Sequence, residues 1–121
     1  ESALVTALAH GKKIGILSIL PGSVARHARL IDRLGISARI AGDLPINLGI
    51  DQLADPERTF ECLQLTATRL RRDHGADVLI LGCAGMSQHR VRLARHVDIP
   101  VIDPCQAAVG MAITATTIGQ K

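Results

Sequence analysis

The chain has almost no aromatic side chains and no long apolar stretch. Among its 121 residues there is no Trp and no Tyr, and Phe60 is the only Phe, although 47% of the residues are hydrophobic and 21% are charged. A chain of this length and composition folds as one domain around a core, which here must be aliphatic. No apolar run approaches the roughly 18–20 residues that span a bilayer. The N-terminal segment also lacks the charge order of a signal peptide. We therefore expect one domain with no membrane partner.

Cysteine is scarce, and its spacing is uninformative. An odd number of cysteines without Cys-x-x-Cys spacing fits neither a disulfide framework nor a zinc site. The three are Cys62, Cys83 and Cys105. The histidines show no metal-binding pattern, and all five are expected to be ordinary surface residues: His10, His27, His74, His89 and His96. These patterns predict a reduced, cytoplasmic protein without a metal site.

The basic residues do not form a nucleic-acid surface. The formal net charge is +3. Several arginines fall on predicted helices, mixed with acidic and apolar residues: Arg69, Arg71, Arg72, Arg90, Arg92 and Arg95. No aromatic side chains accompany them to stack on bases. We therefore interpret these arginines as solvated helix faces and expect no nucleic-acid partner.

Short aliphatic runs alternate with amphipathic segments along the chain. The runs predict strands over 13–20, 37–41, 77–81 and 100–103. Helices are predicted over 2–9, 23–34 (capped by Ser23), from Asp55-Pro56 to just before Gly75, 87–96 and 104–118, with a loop over 42–54. Strands that alternate with helices indicate an α/β fold, with a parallel four-stranded sheet flanked by helices on both faces.

Cys83 follows the third predicted strand, in the stretch LILGCAGMS (79–87). Ligands of parallel sheets gather at this end of the strands. One interpretation is a small buried side chain that fills a tight turn. Cys62 is expected to fill the core or its boundary in mid-helix; Cys105 is expected to pack as well, but its position at another strand end leaves open that it faces the same crevice. The other is an ionisable thiol, because a helix N-terminus stabilises negative charge and the flanking glycines let the amides of residues 84–87 approach an anion. The pattern alone leaves both open.

Three stretches together resemble a known family. The strings GADVLILGCAGM, IPVIDPCQAAVGMAI and KIGILSILPGSV resemble the aspartate/glutamate racemase superfamily, and within it the hydantoin/allantoin racemase branch. The resemblance covers nearly the whole chain. It implies two pseudo-symmetric α/β lobes with the active site between them and one cysteine from each lobe. One thiol removes the α-proton and the other returns it on the opposite face, without a metal or other cofactor.

The resemblance also assigns residues to roles. Cys83 corresponds to the catalytic cysteine of the second lobe. The positions implied to bind substrate, partly through backbone amides, are Ser18, Gly82, Ala84, Gly85 and Met86. The branch usually has two adjacent hydroxyl residues at the end of the opening strand. This chain has Ser18 followed by Ile19, so only one hydroxyl is kept.

No counterpart of the first-lobe cysteine is present, which implies that the chain is the carboxyl-terminal half of a longer protein. Residues 1–103 are then the second lobe, and the segment 104–121 packs on the first lobe or on another chain. We accordingly expect Val109, Met111 or Ile113 at a chain–chain contact or on a detached helix. The implied partners are the first-lobe polypeptide, a further copy in a homo-oligomer, and a small-molecule substrate.

The function implied for the intact protein is that of an isomerase. It would be a cofactor-independent racemase or epimerase of hydantoin- or allantoin-like compounds, or of amino acids. The 121-residue chain alone is expected to be inactive, because inversion needs a second thiol. Two alternatives stay open: a thiol-dependent decarboxylase or isomerase of the same superfamily, and a non-catalytic small-molecule binding or interaction domain on that scaffold.

Overall fold

Four parallel strands form a single sheet in the computed structural model, which describes residues 1–119. The last two residues of the predicted segment 104–121 therefore lie outside the described residues. The strands are β1 (Ile14–Ser18), β2 (Ile40–Pro45), β3 (Val78–Leu81) and β4 (Val101–Ile102). Their order in the sheet is β2-β1-β3-β4, and every neighbouring pair is parallel. The predicted α/β fold with a four-stranded parallel sheet is confirmed.

Helices cover both faces of this sheet. They are α1 (Ser2–Leu8), α2 (Pro21–Arg33), α3 (Pro56–Arg72), α4 (Arg90–Val97) and α5 (Pro104–Ile118). Three 3₁₀ turns join them, at Ser37–Arg39, Gln52–Ala54 and Ala84–His89. Within residues 1–119, no helix is long and apolar enough to cross a membrane.

The alternation of side chains along the strands divides the core into two halves. Leu17 and Leu81 point to one face, where they join the cluster formed with α3 and α4. Ile16 and Ile80 point to the other face and pack with α1, α2 and the start of α5. Both halves are almost entirely aliphatic, as expected. Each large aliphatic side chain buried in this way stabilises the fold by about 1.5–3 kcal/mol.

Helix α3 forms where the sequence predicts it. The carboxylate of Asp55 accepts a hydrogen bond from the Arg58 N–H at 3.2 Å, and Pro56 occupies the first helical position. A stripe of apolar side chains at helical spacing is buried against the sheet: Phe60, Leu63, Ala67 and Leu70. The predicted helix is confirmed. The prediction was possible because the apolar periodicity and the capping residue indicate the same segment.

The start of α2 differs from the prediction. The helix begins at Pro21 and not at a cap formed by Ser23. Leu20 is the N-cap residue and provides no side-chain hydrogen bond, while the Ser23 N–H bonds to the Leu20 carbonyl at 2.9 Å. Proline fits the first turn because its fixed φ is helical and it has no N–H to satisfy. Ser23 is therefore a residue of the first helical turn and not its cap.

Strand β2 also corrects the prediction of a strand over 37–41 and a loop over 42–54. Ser37–Arg39 form a 3₁₀ turn, and the strand runs from Ile40 to Pro45. The pairing with β1 skips Ala41, so that a bulge precedes Gly42. A Cβ on Gly42 would lie only 3.0 Å from the His74 Nδ1, so glycine allows the end of α3 to pack there. The shift places Asp43 inside the sheet rather than in a loop.

Helix α5 is attached to the domain mainly by its first half. Ala107 is its only buried residue among those described. Val109, Met111 and Ile113 are all exposed, although they are large and apolar. Exposed apolar surface of this extent is common where proteins interact with a partner. The prediction that these residues meet another polypeptide stays a prediction.

Candidate active site

Cys83 lies at the carboxyl end of β3, at the edge of the sheet. Its backbone is extended, and it is the N-cap residue of the 3₁₀ turn Ala84–His89, which runs directly into α4. The half-buried Sγ accepts the N–H of Gly85 at 3.4 Å. The helix predicted over 87–96 corresponds to α4, which begins three residues later, at Arg90, because residues 84–89 form the 3₁₀ turn that the Cys83 sulfur caps. A thiol is thus held at the edge of the sheet at which open α/β proteins generally bind ligands.

The three amides expected to bind substrate are used differently. The Gly85 N–H is directed at the Cys83 sulfur, and the Met86 N–H donates to the Cys83 carbonyl at 3.1 Å. The Met86 side chain is completely buried. Within residues 1–119, the Ala84 N–H makes no hydrogen bond. Of the three amides, Ala84 is therefore the one left to bind a ligand.

Gly82 is required by a close approach of two strands. Its N–H donates to the Leu17 carbonyl at 2.8 Å. A Cβ at this position would lie 2.6 Å from that same carbonyl oxygen and 3.3 Å from the Cε1 of His27. The residue before Cys83 therefore touches β1 on one side and the imidazole of α2 on the other.

Three polar side chains form a network at the carboxyl ends of β1 and β2. The Ser18 hydroxyl donates to the Asp43 carboxylate, and His27 Nδ1 lies 2.8 Å from Asp43 Oδ2 and 3.1 Å from Ser18 Oγ. Ser18 is completely buried, and the side chains of Asp43 and His27 are 8% and 25% exposed. The expectation that His27 is an ordinary surface histidine is wrong, because Asp43 draws its ring onto the sheet edge.

The predicted substrate-binding hydroxyl is thus engaged inside the protein. The Ser18 hydroxyl donates a hydrogen bond to Asp43, and the neighbouring Ile19 packs against the core cluster on the α3 side. The sequence reasoning missed both Asp43 and His27 as residues of this edge. The one available signal was an acidic residue within a segment that pairs with β1.

A second buried carboxylate links the Cys83 turn to α5. Asp103, which is 4% exposed, accepts the Gln106 N–H at 2.9 Å and so caps α5. Its other oxygen accepts the hydroxyl proton of Ser87, which belongs to the 3₁₀ turn after Cys83. One charged group therefore fixes both segments.

The other two cysteines have different surroundings. Cys62 is half-buried and packs against the core cluster on the α3 side, as expected. Cys105 is exposed, and the prediction that it packs in the core is wrong. The reason is that the first turn of α5 buries little of its surface within this chain. Within residues 1–119, no group of three or more histidine, cysteine or acidic side chains is arranged to hold a metal ion.

The expectation that His89 is a surface histidine is also wrong, because this residue is buried. Its ring is 5% exposed and lies 6.1 Å from the Phe60 ring, centroid to centroid. Its Nε2 is buried without a hydrogen-bond partner among the described residues. Burial lowers the pKa of His89, and the positive charge of Arg92 lowers this pKa further. His10, His74 and His96 are exposed, as predicted.

A cavity of about 160 Å³ opens at the same edge, on the α1–α2 side of the sheet. Its walls are mostly aliphatic and include Ile16 and Ile80. Gly82, Pro104 and His27 also line it. The cavity therefore adjoins the residue that precedes Cys83.

The chain is similar to known proteins over most or all of its length. The family model described as Asp/Glu/Hydantoin racemase matches residues 1–112. A hydantoin racemase from Pseudomonas sp. (strain NS671) is 29% identical, over 100% of this chain and 49% of its own length. A hydantoin racemase from Paenarthrobacter aurescens is 34% identical, over 88% of this chain and 45% of its own.

Solved structures show the same similarity. The allantoin racemase from Pseudomonas fluorescens superimposes with a TM-score of 0.95 at 25% identity, covering 100% of this chain and 52% of its own. The allantoin racemase from Klebsiella pneumoniae gives 0.92 at 27% identity, covering 98% and 49%. The chain thus spans about half the length of the relatives it matches. From the match over residues 1–112, the chain belongs to the Asp/Glu/hydantoin racemase family.

Proposed function

We propose that this chain supplies one of two acid–base thiols in a cofactor-independent racemase of hydantoin- or allantoin-like compounds, and that Cys83 is this thiol. The observation that supports it best is the half-buried Cys83 sulfur at the carboxyl edge of the sheet, with the Gly85 N–H directed at it. An N–H donor stabilises negative charge on sulfur, and the thiolate is the form that accepts a proton.

The reaction needs little more than proton transfer. The Cys83 thiolate takes the proton from the substrate carbon next to a carbonyl, and the electron pair of the C–H bond moves onto the carbonyl oxygen. A thiol on the opposite face then protonates the carbon, so that the configuration inverts and no atom is lost. The Ala84 N–H is the donor we assign to the developing oxyanion.

The second thiol must face the substrate from the other side. Cys62 is half-buried in the middle of α3, where its side chain packs against the core cluster on the α3 side. The matched relatives are about twice as long as this chain. We therefore assign the second thiol to a first-lobe polypeptide, and we expect the 121-residue chain alone to be inactive.

The exposed face of α5 supports the same assignment. Val109 and Ile113 lie on one side of α5 and Met111 on the opposite side, and the domain itself leaves all three apolar side chains exposed. Contact with the first lobe, or with a second copy in a homo-oligomer, would remove this surface from water. We propose that the substrate binds between the two lobes. We also propose that the enzyme is cytoplasmic.

The test uses the complete gene product with an optically pure 5-substituted hydantoin in deuterated water. We expect loss of optical rotation together with deuterium incorporation at C5. Cys83→Ser should abolish inversion of both enantiomers and deuterium exchange of the enantiomer whose C5–H faces Cys83, because the hydroxyl of serine is too weak a base. Cys62→Ser is the matched control and should leave both rates close to those of the wild type, with circular dichroism confirming the fold of each variant.

Three outcomes would contradict the proposal. Racemisation by the Cys83→Ser variant at the wild-type rate would exclude the role of this thiol. Release of carbon dioxide from a related acid, without deuterium exchange of the remaining substrate, would identify a decarboxylase. Binding of hydantoins by the wild type without exchange or inversion would identify a binding module.

A further inference from the structure

The orientation of His27 leaves one ring nitrogen available to a ligand. Its Nδ1 lies 2.8 Å from the Asp43 carboxylate, which can only accept, so the ring carries its proton on Nδ1. In the neutral ring, Nε2 is then an acceptor. Within residues 1–119, Nε2 makes no hydrogen bond, and a quarter of the side-chain surface stays exposed. The imidazole is thus held from one side and open on the other.

The ring lies close to the residue that precedes the candidate thiol, while the Cys83 side chain packs over the same sheet edge from the α3 side. His27 lines the cavity of about 160 Å³ together with Gly82 and Pro104. Its Cε1 lies 3.3 Å from the Cβ position of Gly82. The geometry of the chain therefore keeps this atom within about 9 Å of the Cα of Cys83. A five-membered heterocycle with its substituents spans much of that distance.

We propose that His27 is a substrate-binding residue whose Nε2 accepts a hydrogen bond from a ring or ureido N–H of the substrate. The inference rests on the proposed function and extends it, because it names the substrate group recognised on the α2 side of the sheet edge. Asp43 and Ser18 are the positioning residues that fix the tautomer and the direction of the ring.

The surroundings favour this hydrogen bond. The cavity beside His27 is mostly aliphatic, with Glu1 as the other ionisable side chain in its lining, so that water competes less for Nε2 than it would on an open surface. Asp43 is nearly buried, and its two oxygens are both engaged, by Ser18 and by His27. A ring held in this way loses little freedom on binding. Hydantoins and allantoin present N–H groups on either side of a carbonyl, which suits a fixed acceptor.

The test measures binding without turnover. The ligand is 5,5-dimethylhydantoin, which has no proton at C5 and cannot be racemised. Titrated into the complete gene product labelled with ¹⁵N at histidine, it should shift the Nε2 resonance of His27 upfield, as accepting a hydrogen bond requires. The same resonance disappears in His27→Asn, which assigns it.

The variants separate ligand binding from ring positioning. In His27→Asn, the side-chain amide can still donate a hydrogen bond to Asp43. The variant has no acceptor at the position of Nε2. It should weaken binding of 5,5-dimethylhydantoin about three- to tenfold, the effect of losing one hydrogen bond. Methylation of the ligand nitrogen that donates should weaken wild-type binding by a similar factor and leave binding by His27→Asn unchanged. His10→Asn is the matched control, because His10 is exposed and its Nδ1 is also hydrogen-bonded, to the Thr6 carbonyl at 2.9 Å.

Failure of this inference can be distinguished from failure of the proposed function. An Nε2 resonance that does not move, or equal affinities of wild type, His27→Asn and the methylated ligands, would overturn the role of His27. Racemisation that still depends on Cys83 would leave the proposed function standing in that case. Conversely, a shift of Nε2 without any racemisation by the wild type would support the binding residue and contradict the reaction.

Discussion

Replacing Gly82 by alanine probes the contact on which the position of Cys83 depends. The added Cβ would lie 2.6 Å from the Leu17 carbonyl oxygen, whereas real Cβ contacts begin at 3.0–3.4 Å. The two strands must therefore separate by roughly 0.4–0.8 Å. The Leu17 carbonyl cannot move away freely, because it also accepts the Gly82 N–H at 2.8 Å.

The expected cost follows from these contacts. Overpacking of this kind destabilises a protein by about 1–3 kcal/mol. Weakening the Gly82–Leu17 hydrogen bond adds up to about 1 kcal/mol. The lower entropy of alanine in the unfolded chain offsets about 0.4–1 kcal/mol. We expect Gly82→Ala to lower the free energy of unfolding by about 1–3 kcal/mol. Because Cys83 is the next residue, racemisation should also fall about tenfold or more.

Urea unfolding followed by circular dichroism measures the first effect, and polarimetry measures the second, both on the complete gene product. Gly22→Ala is the matched control. Gly22 lies in the first turn of α2, and a Cβ there would have nothing within 4 Å. This variant should be as stable as the wild type, or more stable by up to about 1 kcal/mol. If Gly82→Ala also matches the wild type in stability and rate, the close approach of β1 and β3 does not position the thiol.

Two further predictions concern buried polar groups. Asp103→Ala removes the cap of α5 and the acceptor of the Ser87 hydroxyl, and should lower the free energy of unfolding by about 1–3 kcal/mol. In urea unfolding, the exposed cap variant Asp55→Ala should lose less, and equal losses would contradict the double role of Asp103. Burial lowers the pKa of His89 below its ordinary value of 6.5, so the unfolded chain binds the proton more tightly than the folded chain. The free energy of unfolding should therefore be greatest above roughly pH 6.5 and decrease as the pH falls below that value. His89→Leu should show a smaller decrease between roughly pH 7 and pH 5 than the wild type or His10→Leu, and identical pH profiles would contradict this account.

The parts of the fold that the sequence predicts well are those in which several local signals coincide. Helix α3 has a capping Asp55, a Pro56 in its first turn and an apolar stripe with helical spacing. Cys83 was placed correctly because an aliphatic run followed by glycine ends a buried strand, and the carboxyl ends of parallel strands share one edge. These inferences need no knowledge of distant contacts.

Strand β2 was misplaced because its formation depends on its partner. The segment from Ile40 to Pro45 includes a glycine, an aspartate and a proline, which all have low strand propensity. Pairing with β1 stabilises it nonetheless, and an edge strand tolerates Pro45 because one side makes no ladder bonds. Propensity alone cannot contain this information.

The network of His27 and Asp43 was missed for a related reason. Asp43 reaches the imidazole only because the bulge at Ala41 sets it opposite Ile16 of β1. A slip of one residue would turn its carboxylate to the other face of the sheet. His27 and Asp43 are 16 residues apart, so their contact depends on that register and on the path of α2. Such a contact cannot be inferred from residue spacing.

The carboxylate of Asp103 links the exposed helix α5 to the turn that follows the thiol. One oxygen holds the first turn of that helix, and the other holds Ser87 in the turn that Cys83 begins. In the assembly proposed above, a tilt of α5 would displace Asp103 and, through it, Ser87 in the turn that Cys83 begins. We therefore expect docking of α5 to change the position of the sulfur by way of this one carboxylate.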